Sequence, residues 1–117
     1  GASYGSAVSH TANTANFAIK QPGVYTQAFS GSFAPSSTGT NFPLNITTVA
    51  QLNGTAIPGA ASQHTFAEKG EVASQAFTVP FAVPSVPATV RLVATGGNFQ
   101  YSNLSAALTR NGDIPAS

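Results

Sequence analysis

The chain contains no cysteine, no methionine and no tryptophan, and only seven of its 117 residues are charged. Without cysteine there is no disulfide framework, no thiolate nucleophile and no cysteine-ligated metal. Losing cysteine and methionine also removes the oxidisable side chains. That suits a long-lived extracellular object, although chance in a short chain accounts for it nearly as well. The charged fraction of 6% lies far below the roughly 25% of an ordinary soluble domain. A net charge of +1 without a basic cluster gives no electrostatic footprint for nucleic acid or anionic lipid. Neither is expected as a partner. Apolar runs are interrupted by Pro, Ser or Gly well short of the ~18 residues a membrane helix needs. No charged-then-apolar leader opens the chain; a secreted chain would have lost one, and one domain cut from a longer protein would show none. A surface so poor in charge leans toward partial burial in an oligomer.

Long helices are missing too. Eight prolines and eleven glycines leave no uninterrupted helical window. Strand patterns separated by short turn signals argue for an all-β sandwich or barrel in one domain. Strands are expected over residues 7–11, 16–20, 24–33, 44–52, 63–66, 72–81, 88–95 and 101–109. In residues 24–33, Tyr25, Phe29 and Phe33 share one face with Gln27 and Gly31. Val90 and Leu92 face opposite to Thr89, Arg91 and Val93, and Leu104, Ala106 and Leu108 form another apolar face. With Phe17, Leu52 and Phe77, the residues Tyr25, Phe29, Phe33, Val90, Leu92, Leu104 and Leu108 are the candidates for the core or for a subunit interface.

The turns carry the sharpest local signals. Gln21-Pro22-Gly23 is expected to join two strands, with Gly23 defining the turn. Asn53-Gly54 between apolar residues predicts a type I′ hairpin, whose two central positions both need positive φ. Pro58-Gly59 predicts a second turn soon after it. Gly96-Gly97-Asn98 is expected to make the last hairpin connection. Glu68-Lys69-Gly70-Glu71 reads as an exposed turn.

Chemistry is scarce. A catalytic triad needs a nucleophile, a base and an orienting group, and His10, His64, Glu68, Glu71 and Asp113 are the whole supply of bases and acids. His64 and Glu68, four apart on a strand, would lie more than ~10 Å apart. Glu68 and Glu71 flank Lys69, a solvated turn rather than a calcium loop. No phosphate-binding glycine loop follows Gly96-Gly97. The expectation is a protein without catalytic residues, metal or cofactor. Tyr4, Tyr25, Phe99 and Tyr101 are the aromatics available to stack a sugar.

Four segments in order carry a family resemblance. They are NFAIKQPGVYTQAFSGSF, VAQLNGTAIPG, EVASQAFTVPFAVPSVPATVRLVATGG and the closing LSAALTR. Phe17-Ala18-Ile19 leads into Gly23-Val24-Tyr25. Leu52 to Gly59 carries the L-N-G-x-x-I-P-G element. Val72, Gln75 and Ala76 fit V-x-x-Q-A, and residues 90–93 and 104–108 supply the last two strands. The set resembles the tumour-necrosis-factor-like jelly roll of bacterial relatives of the complement component 1q head. It is closest in style to the C-terminal domain of BclA-type collagen-like exosporium glycoproteins. The resemblance covers residues 15–110; residues 1–14 would be a first strand or a connection to a stalk, and residues 111–117 a polar tail. No Gly-X-Y run is present, and the calcium position of some animal relatives has no acidic counterpart.

The resemblance implies a two-sheet jelly-roll sandwich assembling as a homotrimer at an extracellular, spore or cell surface. Its implied role is non-enzymatic: the head of a surface filament or exosporium-type fibre that drives trimerisation and mediates contact with host or spore-surface glycans or proteins. A trimeric lectin-like or receptor-binding head, as on a phage fibre, uses the same fold. A pilus-type subunit completed by strand exchange is the third reading.

Overall fold

The computed structural model describes the backbone of residues 3–36 and 41–115, and the side chains among them from Ala15 onward, Asn98 apart. Six strands occupy most of that length: β1 Ser3–Ile19, β2 Gly23–Pro35, β3 Leu44–Leu52, β4 Thr55–Phe66, β5 Ala73–Val83 and β6 Ala88–Gly112. The described residues contain no helix. The eight expected strands become six because two elements run through the expected breaks. Residues 7–11 and 16–20 fall on one path, β1, and residues 88–95 and 101–109 both fall on β6.

Register shows how this works. Residues 90–95 of β6 pair antiparallel with β3, and residues 99–112 pair antiparallel with β2. The first arm starts beside Leu52 and climbs, whereas the second descends from Pro35 to Val24. β6 therefore arches from one layer into the other. β1 follows it along one side, pairing from Ser3↔Leu104 to Ile19↔Ala88. One layer holds β4, β3, the first arm of β6 and the second part of β1; the other holds β5, β2, the second arm of β6 and the start of β1. All pairings are antiparallel, and the two layers form a sandwich whose shared strands switch sheets at a bend.

The Gly96-Gly97-Asn98 expectation is thus corrected. The chain does reverse there, but its arms pair with different strands rather than with each other. Glycine is needed for approach: a Cβ on Gly96 would stand 2.5 Å from the Asn45 carbonyl oxygen, and one on Gly97 would meet the Leu44 side chain. The sequence signal of a hairpin glycine pair and that of an arch are the same, since both need backbone without Cβ.

Pro58-Gly59 is also corrected. Both lie inside the continuous strand β4. Pairing jumps there from Gln51↔Ala56 to Val49↔Ala61, leaving extra residues on β4. Gly59 takes φ 81° in this bulge. A proline without an N–H and a left-handed glycine suit a bulge on an edge strand as well as a turn. The bulge puts both Ile57 and Ala60 into the core.

Gly23 is no turn residue either. The connection is Lys20, Gln21 and Pro22, and Gly23 opens β2, where a Cβ would meet the Arg110 Nε at 2.6 Å and the Gly112 carbonyl at 2.7 Å. Asn53-Gly54 has the type I′ signs, φ 50° and 85°, with Leu52 and Thr55 paired around it. Asn53 further locks the hairpin to β6, donating N–H to the Thr89 carbonyl and accepting from the Thr89 N–H, both at 2.9 Å.

The core lies between the layers. Tyr25, Phe29, Phe33, Val90, Leu92 and Leu104 are buried, with Ile46, Phe66, Val83 and Phe99 beside them; Phe17, Leu52, Phe77 and Leu108 are partly buried against that cluster. Ring pairs Phe29–Phe77 at 5.4 Å and Phe33–Phe99 at 6.1 Å line it. A fully buried side chain of this size is worth about 1.5–3 kcal/mol. Gly31 leaves room for Leu104: a Cβ there would sit 2.6 Å from the leucine Cδ2. Two amides are buried as well. Gln75 Nε2 donates to the Ile46 carbonyl at 3.1 Å, a bond from β5 in one layer to β3 in the other. Gln27 Nε2 reaches the Ala28 and Ala107 carbonyls at 3.0 and 3.2 Å.

Candidate functional site

Alternation fixes what each layer shows to its surroundings. On the layer of β5, β2 and the second arm of β6, outward positions fall into cross-strand rows. Thr78, Ala28 and Ala107 form one row, and Ala76, Ser30 and Ser105 the next. Pro80, Thr26 and Thr109 lie beyond them on one side, and Ser74, Ser32 and Ser102 on the other. None of these side chains is charged and none is large. Polar contact stays within the face, as where Asn111 Nδ2 donates to Thr26 Oγ1 at 2.7 Å.

The other layer differs. Its rows are Gln63, Thr47 and Thr95, then Ala61, Val49 and Val93, then Gln51 and Arg91 joined by Asn16 from β1. Amides and one guanidinium stand where the first face has alanine and serine. Asn45 is tied down among them, accepting from Thr65 Oγ1 at 3.1 Å.

The expected acid–base groups do not converge. Glu71 Oε1 accepts from the backbone N–H of Ala67 and Glu68 at 2.8 and 2.9 Å, so it caps its own loop. His64 packs edge-on to Phe66 at 4.5 Å on β4. Asp113 pairs with Arg110, whose guanidinium also donates to the Pro22 carbonyl. Among the described residues no three His, Cys, Asp or Glu come together as a metal-binding group. His10 and Tyr4 lie outside the described side chains.

Two of the aromatics expected to stack a ligand are withdrawn into the core. Phe99 is fully buried, and Tyr25 is buried with its hydroxyl donating to the Gln21 carbonyl at 2.6 Å. Tyr101 borders an opening, a shallow groove of ≈ 260 Å³ with Ser32, Gln100, Ser102 and Val72 among its walls. A second opening of ≈ 270 Å³ lies between the β3–β4 hairpin and the end of β5, lined by Leu52, Ile57, Pro58 and Phe81 with Ala56 and Ala82. Sequence patterning missed both, because each is bounded by residues from strands distant in the chain.

No protein-family model matches the chain, and a search of curated proteins finds no match to it.

Proposed function

We propose that the chain is the non-enzymatic head domain of a surface fibre, a tumour-necrosis-factor-like jelly roll of the BclA type that assembles as a homotrimer. In this reading it nucleates trimerisation of an attached stalk and presents equivalent surfaces for contact at a spore or cell exterior. The observation that carries the reading is the charge-free, small-residue outer face of β5, β2 and the second arm of β6. A face without charge brings no like-charge repulsion when copies of it meet. It also has almost no long side chains to immobilise, so little rotamer entropy is lost on packing. The core aromatics Tyr25, Phe29 and Phe33 are spent inside the protomer. The interface is therefore assigned to this outer face rather than to them.

The test is the mass of the chain in solution by light scattering behind a sizing column, across a dilution series. A mass three times 11.8 kDa that persists on dilution is the expected result. A monomer overturns the reading.

A second reading, a lectin-like or receptor-binding head, has one observation of its own. The groove beside Tyr101 is walled by two serine hydroxyls and one amide without a charge, the chemistry of a neutral sugar site. Glycan-array binding lost in Gln100→Ala would favour it.

A further inference from the structure

Strand lengths place the ends of the molecule. β2, with 13 residues, spans about 44 Å at 3.4 Å per residue, and only the 51 Å axis accommodates it. The strands thus run along the long axis, and the loops collect at two poles. One pole holds the β4–β5 loop and the crests of the two arches. The other holds the β1–β2 connection, the Asn53-Gly54 hairpin, the β5–β6 connection and the end of β6.

Charge is divided between these poles. Glu68, Lys69 and Glu71 sit in the β4–β5 loop, for a net of −1. Lys20, Arg110 and Asp113 lie at the opposite pole, with Arg91 near it on β6, for a net of +2; together these are all seven charges, and they sum to the chain's +1. Apolar surface is divided in a complementary way. Val72, at the acidic pole, is 71% exposed. The apolar opening lined by Leu52, Ile57, Pro58 and Phe81 lies toward the basic pole.

We infer that copies of this chain dock head to tail, the acidic pole of one against the basic pole of the next, with Val72 seated in the Leu52–Ile57–Phe81 opening. A projecting apolar residue and a distant apolar pocket on the same molecule make a heterologous contact, which propagates instead of closing in a pair. Opposite net charges at the two ends favour this orientation and disfavour head-to-head encounters. Cα extents of 24 × 19 Å across the long axis give an end of roughly 450 Å² per partner, about half of a standard stable interface of ~800 Å². A single contact is weak. Side-by-side assembly of three chains would multiply it through avidity, but the contact itself does not depend on that assembly.

The experiment is sedimentation equilibrium of the full chain from low micromolar to about millimolar concentration, the range a weak interface of this class spans. The mass at high dilution defines the base unit, monomer or trimer, and so reports on the proposed trimer separately. The expected result is a mass that climbs from that unit with concentration, less steeply in 0.5 M salt, with the climb lost in Val72→Asp. Ala56→Arg, at the exposed wall of the opening on the opposite layer from the proposed trimer face, loses it too. Glu68→Lys, an exposed change outside the strands, weakens it several-fold. An equimolar mixture of Val72→Asp and Ala56→Arg regains one contact per pair of units, because each supplies the pole the other lacks. A mass that stays at the base unit up to millimolar concentration overturns the inference, as does a climb unchanged in both variants.

Discussion

The two outer faces of the sandwich are built from the same antiparallel strand geometry, yet they differ in what their outward positions hold. Across β5, β2 and the second arm of β6 one holds Ala, Ser, Thr and Pro, with the amides of Gln100 and Asn111 only toward its two ends. The other places Gln51, Gln63, Asn45 and Arg91 in equivalent outward positions. Inward, both faces meet one apolar core. The contrast therefore does not come from folding needs, since an outward residue on either sheet is free to be long and charged. A face without charge fits the charge depletion of an interface core, and its short side chains lose little rotamer freedom on packing.

The largest expected effect comes from breaking that asymmetry. On the proposed trimer, Ala28→Arg at the centre of the neutral face should lower the solution mass to that of a monomer while circular dichroism stays β-rich. A change in the core shared by both faces comes next. Gly31→Val places side-chain atoms where Leu104 already stands and should destabilise by about 1–3 kcal/mol or more, read as a lower urea midpoint. Gln75→Leu removes the bond between layers; a loss of about 0.5–1.5 kcal/mol is expected, offset in part because the buried Gln75 Oε1, without a partner among the described residues, goes with it. Gly54→Ala, at φ 85°, should cost about 1 kcal/mol and leave oligomer mass unchanged. Smallest of all, Gln63→Lys on the amide-bearing face should alter stability by less than about 0.5 kcal/mol and leave the mass as it was.

Local periodicity carried much of the sandwich. The alternation of Tyr25, Gln27, Phe29, Gly31 and Phe33 is the buried face of β2, and β3 occupies residues 44–52 as its pattern implies. What periodicity did not carry was continuity. Gly96-Gly97 and Pro58-Gly59 look like turns because turns, bulges and arches all call for the same permissive backbone. Which of them forms depends on pairing partners far away, β3 against β2 for one and a bulged β3–β4 ladder for the other. The neutral face was visible only as mixed residues on each strand. Register alone assembled Thr78, Ala28 and Ala107 into a row. The candidate core residues leave out Phe66 and Ile46, both fully buried, although Leu44 and Ile46 alternate on one face of β3.

The most direct test compares one arginine on each face. Ala28→Arg and Thr47→Arg are weighed in solution by light scattering at the same concentration. If the neutral face is the proposed trimer interface, the first is a monomer and the second an unchanged trimer. Equal masses for the two variants would contradict that interface.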